Sequence, residues 1–395
     1  MKDEGGLKME ACGVIVEYNP FHNGHLYHLQ QARAQSKAEV VVAVMSGNFL
    51  QRGEPAVIDK WKRAEAALAN GADLVVELPF EWAVQSADYF AKGAVAILQS
   101  LKCTSLCFGT DSAVSIDYQA LGRRLVDEKV VIDQLFQEMT QPNLSYPEKM
   151  AQLTRHLFPT LPQSENSPNH ILGLSYSQEN TKYPAPMTLI PITRKSAPYH
   201  STNLSGSIAS ATAIRQALKE ERAIEKVVPS ETAAQLLDYQ VSWDDFWPYL
   251  QYQLAVQSPE SLQQIYQMNE GIEYRLKEAA KNATHFDEFL QFVKTRRYTQ
   301  VRIQRLCCYV LLNMKEQDIH DAWNHPSIRV LGFTAVGKEY LKKVKKQSEL
   351  PIIAKIGKQE AQHYSLTIRS DQVYKMAKTA ILEQNFGRIP FSYQK

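Results

Sequence analysis

Residues 11–36 read ACGVIVEYNPFHNGHLYHLQQARAQS. The run from Ala11 to Tyr18 is almost continuously apolar, and Asn19-Pro20 closes it. A run of that kind predicts a strand buried on both faces, and the residue before a proline is pushed out of helical space. From Gly24 onward the pattern predicts a helix over 24–36. The stretch is therefore a strand that turns directly into a helix, the opening unit of a parallel α/β sheet.

The residues that follow repeat the unit. EVVVAVM (39–45), DLVVEL (73–78) and TSLCF (104–108, ended by Gly109) predict three further buried strands, and 186–193 a fifth. Between them lie predicted helices over 59–70, with Asp59 as N-cap and Gly71 as stop, and over 88–101. A helix over 208–220 is entered through a loop that begins Asn203-Leu-Ser-Gly-Ser. After about residue 225, near Pro229, strand signals thin out and helical periodicity takes over. Short strands reappear as VLGFTA and LPIIAK within 330–356. The expected architecture is a Rossmann-like, doubly wound parallel sheet over 11–235, followed by a mainly α-helical domain over 236–395.

The chemistry sits at the first strand–helix junction. A helix N-terminus aims free backbone N–H groups at whatever lies beyond it, and a glycine there admits a nucleotide to the backbone. His22 and His25, three residues apart around Gly24, can then project to one side and stabilise charge on a phosphate under attack. Ser210, Thr212 and Arg215 open a second helix after a Gly/Ser-rich loop, a grouping suited to the outer phosphates of a nucleoside triphosphate. The plainer alternatives are surface histidines at an ordinary helix start, and an N-capping serine beside an exposed arginine. The loop SGNFLQRG (46–53), at the end of the second strand, reads as a substrate loop. Arg52, Lys60 and Arg63 read either as solvated charge or as contacts to phosphate or RNA.

Composition narrows the class. The chain has 395 residues, 44% hydrophobic and 22% charged, with a formal net charge of +2. It is a folded protein without a polycationic character, so a nucleic-acid site needs local clustering of charge. One such cluster is the segment 294–305, with Arg296, Arg297, Tyr298, Arg302 and Arg305 and no acidic residue. On a helix, Tyr298, Arg302 and Arg305 share a face, which could track a phosphate backbone while the tyrosine stacks on a base. The lysine run at 342–346 reads as a solvated helix end or as a second basic patch. The five cysteines lack zinc spacing and read as buried thiols of a reducing compartment. No apolar run approaches the roughly 20 residues of a membrane span, and the first ten residues do not form a signal peptide, which together predict a cytoplasmic protein.

At its two phosphate motifs the sequence resembles the H-x-G-H nucleotidyltransferases. The blocks VEYNPFHNGHLYHL (16–29), MSGNFLQRGEP (45–55), GADLVVELPF (71–80), SPNHILGLSY (167–176), SATAIR (210–215) and RRYTQVRIQRL (296–306) together resemble the bacterial tRNA-Met cytidine acetate ligase family. That resemblance implies activation of acetate by ATP, with Mg²⁺, to acetyl-adenylate. It also implies transfer of the acetyl group to N4 of the wobble cytidine of elongator tRNA-Met, with no membrane and no DNA involved.

The resemblance further implies an ATP site made of Ile15, Val16, Glu17, Tyr18, Asn19, Pro20, Phe21, His22, Asn23, Gly24, His25, Leu26, Tyr27 and His28, together with Gly109, Asn169 and Arg194. Asn169 otherwise reads as a helix N-cap, and Arg194 as an exposed charge at a strand end. Ala209 and Ala211 depart from the superfamily's usual second motif and remove a hydroxyl. Metal ligands and the acetate pocket are not legible. Two other functions share parts of this pattern: a small-molecule adenylyltransferase of cofactor metabolism, and an RNA-binding protein with an inactive nucleotide site.

Overall fold

A computed structural model describes residues 9–111, 116–138, 149, 152, 167–194 and 206–394. Residues 203–205, which begin the loop into the second motif, and most of the first ten residues lie outside the described residues.

The five predicted strands form: β1 (Ala11–Val16), β2 (Val40–Ser46), β3 (Leu74–Leu78), β4 (Ser105–Thr110) and β5 (Thr188–Thr193). β1 pairs in parallel with β2 on one side and β4 on the other, β2 with β3, and β4 with β5. The sheet order β5-β4-β1-β2-β3 reverses direction of winding at β1/β4. In such sheets, ligands bind outside the carboxyl ends of the strands at that reversal. The ends of β1 and β4 carry the residues before His22 and the Gly109-Thr110-Asp111 segment, so the topology alone puts both at one crevice.

Helix α1 (Asn23–Ser36) follows β1, and α2 (Lys60–Ala69) follows β2. Asp59 caps α2 as predicted, its Oδ1 accepting the Trp61 and Lys62 N–H groups at 2.7 and 3.1 Å. Gly71 takes a φ of 117° just after it, the left-handed conformation that ends the helix. Both sheet faces are covered by apolar clusters, one around Val42, Leu74, Phe90 and Leu98, the other around Cys12, Val41, Trp61 and Leu68. All five cysteines are buried free thiols.

The C-terminal part is mainly helical, yet it is not a separate body. β6 (Ile328–Thr334) pairs antiparallel with β3, and β7 (Ile352–Ile353) and β8 (Phe391–Tyr393) pair with β6. The physical reason is the outer edge of β3, a fully buried strand whose unpaired N–H and C=O groups need partners. The helical core also takes in Phe49, Ile58, Phe80 and Ile214 from the first half. Packing therefore crosses the division expected at 235/236, and the chain from 328 on rejoins the sheet it was expected to leave.

Lys60 and Arg63 correct the reading of them as surface or phosphate-binding charges, since both are fully buried. Lys60 Nζ reaches Glu77 Oε1 at 2.7 Å and Asp371 Oδ2 at 2.6 Å, tying the helix Ser365–Lys375 to the sheet. Arg63 spends its guanidinium on the carbonyls of Ile58, Glu17, Ser46 and Gly47. A buried charge is retained only when it is paired or fully hydrogen-bonded, and both of these are.

Candidate active site

After β1 the chain turns through Tyr18, whose φ of 52° is a conformation that large residues rarely adopt. The Tyr18 ring is fully buried and meets the His25 ring edge-on, centroids 4.9 Å apart. The turn delivers His22 to the N-cap of α1. There His22 Nδ1 accepts the Gly24 N–H at 3.0 Å, and His25 Nδ1 accepts the His22 N–H at 3.3 Å. The two imidazoles stack, centroids 3.7 Å apart and planes 22° off parallel.

With Nδ1 occupied as an acceptor, each neutral ring carries its proton on Nε2. The His22 Nε2 has no hydrogen-bond partner among the described residues and is not sealed inside the protein, while the His25 ring also has the Pro20 carbonyl as an acceptor. The result is two N–H donors held side by side. Gly24 is needed for this: a β-carbon there would lie 2.8 Å from His22 Cε1 and displace the ring.

Electrostatics keep the rings neutral. Burial, then Arg194 and Arg215, pulls His22 down to about 3. Burial, then His22, His28 and Arg194, holds His25 well below the ordinary imidazole value, against a weaker opposing effect of the Pro20 carbonyl. Burial and Arg194 bring His28 down to about 4. Three neutral histidines flanked by two arginines make a site that favours an anion and offers it donors.

The second motif closes on the first through Asn23. Its Nδ2 donates to the Ser207 carbonyl at 2.8 Å and the Lys226 carbonyl at 3.0 Å, and its backbone N–H donates to the Val227 carbonyl at 3.0 Å. Ser210 is the N-cap of the helix Ala211–Lys219, its Oγ accepting the Ala213 N–H at 3.1 Å, so the capping alternative holds for that hydroxyl. Thr212 is exposed at the same helix start. Arg215 donates from Nη1 to the Asn19 carbonyl at 2.9 Å and from Nη2 to Glu54 Oε2 at 3.0 Å.

The third wall comes from the end of β4. Gly109 lies against Arg194, whose Cγ would be 3.3 Å from a β-carbon at 109. Asp111 accepts the Asn169 amide at 2.7 Å and faces Arg194 at 3.6 Å. Ser167 caps the helix Pro168–Thr181, which removes the N-cap alternative for Asn169 and leaves its side chain in the crevice wall. Asp111 was missed in the sequence. Its one signal is its place just past the last residue of a strand at the switch point. Tyr18 and Phe21 are fully buried, so these two residues shape the turn and present no exposed surface to a ligand.

The basic segment is arranged differently from the expectation. Its helix spans Gln300–Leu311 with Thr299 as N-cap, so Tyr298 precedes the helix and does not share its face. Tyr298 is 8% exposed, under the Arg302 guanidinium at 5.1 Å, which leaves no free ring face for a base. Arg302 donates to Asn269 Oδ1 at 2.7 Å, and Arg297 pairs with Glu270 at 2.9 Å. Arg305 is half-buried and donates from Nε to the Gln51 carbonyl at 2.7 Å. Of the five residues, Arg296 and Arg297 are exposed.

The loop Phe49–Pro55 sits between these regions. Gly53, φ 72°, packs so closely that a β-carbon would lie 2.4 Å from the Arg305 backbone nitrogen. Its carbonyl accepts the Trp243 indole N–H at 2.9 Å. On the other side of the loop, Glu17 Oε1 accepts the Gln51 N–H at 2.7 Å. The loop is thus fixed at both ends, to the helical part and to the end of β1.

The model of the HIGH nucleotidyl transferase family matches residues 9–388. The chain is 41% identical to the tRNA(Met) cytidine acetate ligase of Latilactobacillus sakei, with 98% of each chain covered. It is 42% identical to that of Streptococcus pneumoniae strain D39, over 97% of this chain and 98% of the relative. Among solved structures it resembles apo Thermotoga maritima TmcAL, with a TM-score of 0.89 and 31% identity over 97% of this chain and 99% of that one. The same Thermotoga protein bound with alpha-thio ATP gives a TM-score of 0.87 at 30% identity and the same coverage.

Proposed function

This chain belongs to the HIGH nucleotidyl transferase family and, within it, to the tRNA(Met) cytidine acetate ligases, and we propose that it joins acetate to N4 of the wobble cytidine of elongator tRNA-Met at the expense of ATP. The observation that carries this is the stacked, neutral His22–His25 pair, each ring held through Nδ1, beside Arg194 and Arg215.

Acetate is inert at neutral pH, and the cytosine amine is a poor nucleophile. An acetate oxygen attacks the α-phosphorus, and the bond to pyrophosphate breaks. The charge that grows on the α-phosphate meets the His22 and His25 donors. They are already oriented and neutral, so no reorganisation is needed. Arg215, held on the Asn19 carbonyl at the turn into α1, and Arg194 neutralise the outer phosphates. Gly109, Asp111 and Asn169 are the groups for the nucleoside side of the crevice. Mg²⁺ enters with ATP: such ions keep mostly phosphate and water ligands and take about one or two carboxylates. Asp111, at the end of β4, would be one such carboxylate on exchanging its Asn169 and Arg194 contacts, and among the described residues no group of three acidic, histidine or cysteine side chains is placed to hold an ion unaided.

The acetyl-adenylate then gives its acetyl group to the RNA. The exposed Arg296–Arg297 turn and the lysines of the helix Ala335–Val344 support RNA binding on the outer face. No helix among the described residues is long and apolar enough to cross a membrane, and the proposed RNA substrate supports a cytoplasmic location.

The test is an incubation with ATP and labelled acetate, with and without tRNA-Met, following pyrophosphate, AMP and acetylated RNA. Acetate-dependent ATP–pyrophosphate exchange without RNA, and label in RNA when tRNA-Met is present, is the expected outcome. Exchange with no label in RNA removes the transfer step. Label from ATP in a stable dinucleotide-like product moves the chain to the cofactor adenylyltransferases.

A further inference from the structure

Resting on that reading, we propose that Glu17 is the general base of the second step, taking the proton that the cytidine N4 amine gives up as it attacks the acetyl carbon. Attack forms an N–C bond and leaves N4 with one proton too many. The C–O bond to phosphate breaks, AMP departs with that electron pair, and the proton must go to a group in the site. The balance is cytidine amine plus acetyl-adenylate giving N-acetylcytidine, AMP and one proton.

The histidines do not fill that role. In His22 and His25, Nδ1 is used on a backbone N–H and Nε2 already carries the proton. His28 Nε2 is sealed in protein. Asp111 is spent on Asn169 and Arg194, and Glu54 on Arg215. Asp59 caps α2.

Glu17 remains. It stands one residue past the end of β1 at the switch point, five residues before His22. Oε1 is held by the Gln51 N–H at 2.7 Å, which fixes the carboxylate plane against the substrate loop. Its second oxygen has no hydrogen-bond partner among the described residues and is not sealed in. A carboxylate held at one oxygen and open at the other is built to accept a proton in a set direction.

The charged groups acting on it come from every side: Arg52 and Glu54 of the loop, Arg215, Arg63 of α2, Arg305, and the Tyr176 hydroxyl. Burial outweighs the arginines and lifts its proton affinity above that of an ordinary carboxyl, which suits a base working near neutral pH.

The experiment supplies chemically prepared acetyl-adenylate and tRNA-Met, so that transfer is read apart from adenylation, and compares the parent with Glu17→Gln and Glu17→Asp. Glutamine keeps the acceptor for Gln51 and the side-chain volume. In Glu17→Gln, transfer falls by roughly 10²-fold or more, a fall at least about tenfold larger than any fall in acetate-dependent pyrophosphate exchange measured alongside. The parent's transfer rate rises with pH through one ionisation above the usual carboxylate range. That limb disappears in Glu17→Gln and is displaced in Glu17→Asp. Equal falls in both steps make Glu17 a residue that only holds the loop and overturn the proposal, as does an acid limb that survives in Glu17→Gln. Lack of exchange in the parent enzyme removes the ligase reading itself, an outcome separate from either.

Discussion

The Asn23 side chain donates to the Ser207 carbonyl at 2.8 Å, across 184 residues of sequence. Asn23, the first of the two residues between the histidines, is thereby the strap that ties the entry to the second motif to the first. Its other bond, to the Lys226 carbonyl at 3.0 Å, fixes the segment after the helix Ala211–Lys219. Asn23→Ala removes both bonds and leaves two carbonyls to water. At about 1 kcal/mol net for each bond, kcat/KM for ATP in pyrophosphate exchange should fall by about tenfold or more. A value within twofold of the parent would show that the two motifs are aligned without the strap.

His22→Ala and His25→Ala each remove one preorganised donor from the α-phosphate. Loss of a donor of this kind costs about 10²- to 10³-fold, to be read in pyrophosphate exchange. The same geometry makes a pH prediction. His22 is pulled down to about 3 and His28 to about 4, so lowering the pH from 8 to about 5.5 adds no proton to either. Imidazole ¹⁵N spectra should show His22 and His25 as neutral Nε2–H tautomers throughout that range. Exchange should show no acid limb of histidine origin. A histidine signal at position 22 or 25 titrating near 6.5 would contradict the assigned donor role.

The parallel core was legible because strands buried on both faces leave almost unbroken apolar runs, and the histidine motif because it falls at a strand–helix junction. What escaped depended on partners far away in sequence. Lys60 reads as a surface lysine until Asp371, 311 residues on, is seen beside it. β6 reads as an isolated short strand until the open edge of β3 is known. Tyr298 and Arg305 carry the composition of an RNA-binding face, yet tyrosine and arginine are also the residues best able to bury an apolar body and hydrogen-bond at the tip. Asp111 gave almost no signal, since a lone acid after a strand has no pattern of its own.

The Lys60–Glu77–Asp371 cluster fixes the C-terminal helix Ser365–Lys375 to the sheet. Lys60→Ala leaves two carboxylates without the ammonium that bridges them, and with only the charge of the nearby Arg329, in a site where all three side chains are about 1% exposed. Removing one member of such a buried cluster costs about 3–5 kcal/mol. Urea unfolding at 25 °C, followed by circular dichroism, should show a loss of that size with the m-value unchanged. A loss below about 1 kcal/mol would mean that the cluster behaves like an exposed pair and that packing alone holds the helix.

The basic segment should split into two functional classes. Arg296 and Arg297 are exposed, so a double substitution to alanine should weaken tRNA binding and flatten its dependence on salt by about one to two phosphate contacts. Arg305 instead holds the Gln51 carbonyl, and Gln51 in turn holds Glu17. Arg305→Ala should therefore loosen the substrate loop and lower the rate of both chemical steps, while leaving the slope of log Kd against log salt at the parent value. Filter binding of tRNA-Met at several salt concentrations, set beside pyrophosphate exchange without RNA, separates the two. If Arg305→Ala changes the salt slope and spares exchange, its guanidinium meets phosphate in the complex, and the Gln51 contact is a resting arrangement that RNA displaces.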